Sequence, residues 1–107
     1  MHPEPIPPKT YERFTQSYPK LAQAWAEIGE AGREGPFDER TARLIKLAVA
    51  VGALREGAVH ACVRKALAQG IRREEIEQVI ALAAGTLGLP ATVAVYSWIQ
   101  DGIGAPG

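Results

Sequence analysis

Tyr11, Phe14, Tyr18, Leu21, Trp25 and Ile28 follow one another at steps of three and four, the spacing that lines one face of a helix. Pro19 interrupts the stripe, so the pattern predicts two helices, one from Tyr11 to about Ser17 and one from Pro19 to about Glu30, with the proline in the first turn of the second. Gly29, Gly32, Gly35 and Pro36 then predict a loop. Asp38 is suited to cap the next helix. Its run Leu44, Ile45, Leu47, Ala48, Val49, Ala50, Val51 is apolar nearly all round, which predicts a central, buried helix. The alanines and the continuity with the preceding ERTAR favour helix over a buried strand. After a break at Arg55-Glu56-Gly57, a helix is expected from Glu56 to Gln69, with Gly70 as its C-terminal cap. Residues Arg73 to Leu87 form another, with Ile76, Val79, Ile80, Ala83 and Leu87 on its apolar face and Glu74 and Glu75 at its positive end. Pro90 opens the last helix, which carries Val93, Val95, Tyr96, Trp98 and Ile99 and ends near Asp101. Strand alternation and hairpin signals are missing from the sequence. The expected fold class is all-α, with five or six short helices.

At 107 residues the chain has room for one core. The expected organisation is a proline-rich arm over 1–9, with Pro3, Pro5, Pro7 and Pro8, a single helical domain over 10–102, and a frayed tail over 103–107. Subunit association would strengthen so small a core. Lysine plus arginine and aspartate plus glutamate balance at 12 each, so bulk charge points to neither nucleic acid nor an anionic membrane. One cysteine excludes an intrachain disulfide. The apolar runs are too short for a membrane span, and a signal peptide's apolar stretch is missing from the N-terminus. A cytoplasmic protein is expected.

The chemistry-bearing residues are few. The sequence carries no phosphate loop, CxxC or HExxH, and two histidines with one cysteine are too few for a closed zinc site. No cofactor and no metal is expected. What remains is Glu56-Gly-Ala-Val-His60-Ala-Cys62. Glu56 and His60 are four apart and share a helical face, and a carboxylate beside an imidazole is a common acid–base arrangement. Cys62 lies roughly 200° around the helix from His60. It sits near the helix start, where the dipole favours a thiolate, and Arg43, Arg55 or Arg64 would add to that if packed close. Against this stand plainer roles: helix-start capping for Glu56, an exposed and silent position for His60, a small core hydrophobe for Cys62, and core or subunit interface for Trp25 and Trp98.

The stretch from Asp38 to Leu89, about half the chain, contains VRKALAQG followed by REEIEQV and a closing GLP. It resembles the carboxymuconolactone decarboxylase and AhpD-like family. The resemblance implies an AhpD-like orthogonal helical bundle and self-association as a homotrimer or homohexamer. The family's redox members use a glutamate, a CxxC pair and a histidine; by alignment these fall on Arg43, on Arg55 and Ala58, and on Cys62, and none is kept. The decarboxylase members lack the CxxC but have a histidine where Cys62 stands. The sequence is similar to a branch with REGAVHxH, read here from Arg55 to Cys62, with Cys62 replacing the second histidine.

The candidate catalytic residues are therefore Glu56, His60 and Cys62. The first reading is peroxiredoxin-type hydroperoxide reduction through a single thiol, with Cys62 as nucleophile, His60 as acid–base partner across a subunit contact and Glu56 orienting His60. The second is lyase or decarboxylase-type proton transfer at His60 and Glu56 on a carboxylate or lactone. The third is a non-catalytic oligomer that retains the fold.

Overall fold

The computed structural model describes residues 8–103, and the side chains of 9–100. The expected arm before Pro8 and the tail after Ile103 lie outside the described residues. Six helices follow in order: α1 Pro8–Ser17, α2 Pro19–Arg33, α3 Glu39–Gly52, α4 Glu56–Ala68, α5 Arg73–Leu87 and α6 Leu89–Ile103. There is no strand among the described residues. The chain divides into two compact units, Met1–Pro36 and Phe37–Gly107.

In the first unit α1 starts three residues before the expected Tyr11, because Pro8 itself takes the first helical position, where its missing N–H would have no partner anyway. Tyr18 joins the two helices: its N–H donates to the Phe14 carbonyl, and its own carbonyl accepts from Leu21 and Ala22. The Phe14 and Tyr18 rings lie 5.5 Å apart. α2 continues through Gly29 and Gly32, which the sequence had suggested as loop, and stops at Glu34 just before Gly35. None of its residues is buried.

The second unit holds the core. α3 packs on α4 and α5, and α6 packs on the same two helices from the other side. Leu47 and Val51 from α3, Val59 and Val63 from α4, Ile76 and Ile80 from α5, and Val95 and Ile99 from α6 meet in the middle with almost no exposed surface. Trp98 and Cys62 pack against this cluster from the side. α3 departs from expectation. Of its apolar run only Leu47, Ala50 and Val51 are buried, while Ile45 and Val49 are exposed. An apolar residue is buried only where neighbours cover it, and these two stay 42% and 64% exposed. The Ile45 side of α3 helps form an open groove with α5, about 590 Å³ in volume, lined by residues that include Leu44, Ile45, Ala48, Val79, Leu82 and Ala83.

The helix ends follow local chemistry. The Asp38 carboxylate accepts from the Thr41 N–H at 2.7 Å, an N-cap. α4 closes on a Schellman turn: Ile71 N–H donates to the Ala66 carbonyl and Gly70 N–H to that of Leu67. This requires a left-handed residue at Gly70, whose φ is 86°. The turn drives Ile71 into the core. At the start of α5 the Glu75 carboxylate accepts from the Arg72 N–H at 2.9 Å and pairs with Arg40 of α3.

Asp38 and Glu77 give the unit an acid-sensitive component. The hydrogen bond from the Thr41 backbone holds Asp38 below the ordinary carboxylate range. Donation from the Gln100 amide, then from Arg73, does the same for Glu77. A carboxyl whose pKa is depressed by folding stabilises the fold above its unfolded pKa. That stabilisation is lost as pH falls through its folded pKa. Denaturation midpoints are thus expected to hold steady from neutrality to about pH 4 and fall below it, and Glu77→Gln should make the fall shallower. Equilibrium unfolding measured across that range checks both.

Candidate functional site

α4 carries all three residues singled out from the sequence, and it is a regular helix from Glu56 to Ala68. It begins after Leu54, which takes a positive φ of 55° and turns the chain out of α3. Glu56 occupies the first turn, where the helix dipole favours a carboxylate. One turn on, His60 Nε2 lies 3.3 Å from Glu56 Oε2. The Glu56 side chain is 56% exposed and that of His60 only 16%. The imidazole is therefore held by its packing, while the carboxylate looks out to solvent.

Cys62 stands on a different side of α4, about 200° around the axis from His60 by helical geometry. It is half-buried, with a free thiol. Its sulfur receives a hydrogen bond from Arg43 of α3: Arg43 Nη1 lies 3.9 Å from Cys62 Sγ, within the reach of a donor to sulfur. The same guanidinium is anchored at its other end, where Nε donates to Gln69 Oε1 at 3.1 Å. Gln69 caps the C-terminus of α4. Arg43 thus spans from the end of α4 back to its middle, and packing of α3 on α4 fixes it there.

Two groups result. One is the Glu56–His60 pair, and the other is Cys62 with Arg43 and Gln69. Arg43 was singled out in the sequence as a charge that would matter if packed close to Cys62. Gln69 had no sequence signal, since its contribution depends on a partner 26 residues away in another helix. Arg55 forms the N-cap of α4 without a side-chain cap bond. Among the described residues, no group of three or more histidine, cysteine, aspartate or glutamate side chains is placed to hold a metal ion. No described helix is long and apolar enough to cross a membrane.

A family model, that of the carboxymuconolactone decarboxylase family, matches residues 19–101. The chain belongs to the carboxymuconolactone decarboxylase family. Its fold is shared with the crystal structure of the apo form of a carboxymuconolactone decarboxylase family protein from Legionella pneumophila. The two superpose with a TM-score of 0.77 at 20% sequence identity, over 86% of this chain and 83% of that one. No curated protein sequence matches the chain. The family match spans α2 to α6 and includes both groups of the candidate site.

Proposed function

We propose that this family member reduces hydroperoxides through a single thiol, Cys62, with Arg43 as the cation that supports it. The observation that carries this reading is the Arg43 guanidinium 3.9 Å from the Cys62 sulfur. The thiolate is the nucleophile in such chemistry, and a positive donor aimed at sulfur stabilises negative charge there. The thiolate attacks one oxygen of a hydroperoxide, the O–O bond breaks, and the alkoxide leaves as an alcohol after taking a proton from solvent. Sulfur is oxidised to the sulfenic acid. A dithiol reductant restores it: one thiol displaces water to form a mixed disulfide, and the second releases Cys62 as the reductant becomes a disulfide.

The test is hydroperoxide consumption in the presence of excess small dithiol. The wild-type chain is expected to turn over many equivalents and Cys62→Ser only the background rate. Equal consumption by the two proteins would sink the proposal.

The Glu56–His60 pair, at 3.3 Å, favours a second reading. An imidazole oriented by a carboxylate can move a proton on a carboxylate or lactone substrate. This reading predicts the reverse mutational pattern in a decarboxylation or lactone-isomerisation screen: Cys62→Ser near wild type and His60→Ala lower by about a hundredfold or more. Activity that survives His60→Ala would exclude it.

A further inference from the structure

Cys62 lies inside α4 and Gln69 at its C-cap, seven residues further on. Two helical turns span about seven residues, so the two positions share one face of α4, about 10 Å apart along its axis. Helical side chains lean toward the N-terminus of their own helix, which carries the Gln69 amide back along that face toward Cys62. Arg43 arrives from α3 and bonds to both. Its Nε donates to Gln69 Oε1 at 3.1 Å, and its Nη1 lies 3.9 Å from Cys62 Sγ.

The two anchors of this guanidinium differ in kind. The backbone at Gln69 is held on both sides. Its N–H donates to the Lys65 and Ala66 carbonyls, each at 3.1 Å, and the left-handed turn at Gly70 leads into Ile71, which is 2% exposed in the core. Arg43 has a long side chain with many rotamers, and a thiol sulfur is a weak acceptor that selects poorly among them. The guanidinium is planar, so a second bond at Nε fixes both its plane and the direction of its terminal nitrogens. The acceptor that does this is also neutral. A carboxylate in its place would orient the guanidinium equally well, yet it would set a negative charge near the sulfur and disfavour a thiolate.

We propose that Gln69 is a positioning residue for Cys62: its amide oxygen holds the Arg43 guanidinium in the orientation that aims Nη1 at the sulfur. The inference rests on the thiol reading above, through the Arg43–Cys62 contact, and adds a residue that acts on the sulfur only through Arg43.

A double-mutant cycle with Gln69→Met and Arg43→Met tests it, read as the rate at which iodoacetamide alkylates Cys62 at neutral pH. The thiolate attacks the iodoacetamide carbon, an S–C bond forms and iodide leaves. That reaction proceeds whether or not Cys62 reduces hydroperoxides, so failure of the positioning role and failure of the peroxide reading give different results. Methionine matches glutamine in length and helix propensity and lacks the amide oxygen; the bonds that close α4 are made by backbone atoms and stay. Gln69→Leu repeats the test with a second side chain that lacks the acceptor, and thermal unfolding of every variant verifies its fold. Where Arg43 is present, each Gln69 substitution is expected to slow alkylation about threefold, the size of one ordinary hydrogen bond. Where Arg43 is already methionine, the same substitution is expected to change nothing. Equal slowing in both backgrounds would make Gln69 a cap of α4 and no more. No slowing in either would mean that packing of α3 on α4 alone directs the guanidinium. Either result overturns the proposal.

Discussion

Arg43→Met is expected to slow the reaction of Cys62 with hydroperoxide by about tenfold, which corresponds to about 1.4 kcal/mol of barrier. The guanidinium's contribution sets that size. A hydrogen bond to a charged partner is worth about 1.5–3 kcal/mol, and the lower end applies because the thiol is only half-buried and solvent screens the pair. Methionine keeps the apolar stem that packs between α3 and α4 and removes the charge and both donors, to sulfur and to Gln69. The melting temperature is therefore expected to change little while the rate falls. Stopped-flow measurement of thiol loss against hydroperoxide, with unfolding followed separately, checks the two parts. An unchanged rate would remove Arg43 from the chemistry. A collapse of both rate and stability would make it a packing residue.

Leu47→Ala is expected to destabilise the α3–α6 unit by about 2–5 kcal/mol. Leu47 is fully buried at the centre of α3, one turn beyond Arg43, where α3 faces both α4 and α5. Losing its side chain removes apolar burial and leaves a cavity that the packed residues around it fill only partly. Against a total stability of about 5–15 kcal/mol for a domain of this size, that is a large fraction. The melting temperature should fall by about 10 °C or more. Lys46→Ala, at the exposed neighbouring position, should fall within about 0.5 kcal/mol of wild type. Thermal unfolding of the two variants side by side makes the comparison.

The parts of this structure that depend on local chemistry were legible in the sequence. α5 has the bounds that its three-and-four spacing predicted, Arg73–Leu87, because its apolar face and the glycine after it agree. Gly70 ends α4 as expected, because a Schellman turn needs a residue free to take positive φ. Glu56 and His60 meet because a four-residue spacing on a helix brings them together whatever the rest of the fold does.

The parts that depend on which helices pack together were less legible. The contact between Arg43 and Cys62 spans 19 residues and two helices, and no periodicity reports it. The apolar run of α3 predicts a central, buried helix, whereas Ile45 and Val49 are exposed. Hydrophobic pattern records that a surface is to be covered, and it does not record by what. The same holds for the stripe from Tyr11 to Ile28, whose residues fall on α1, α2 and the Tyr18 junction between them and are exposed.

Whether Cys62 is the hydroperoxide-reactive thiol proposed above is tested by intact-mass analysis of the purified chain treated with a modest excess of hydroperoxide in the presence of a sulfenic-acid trap. One trapped adduct per chain at Cys62 is expected, absent from Cys62→Ser and formed about tenfold more slowly in Arg43→Met. An unmodified wild-type chain after many minutes would contradict it and identify Cys62 as a side chain that serves only to pack against the core.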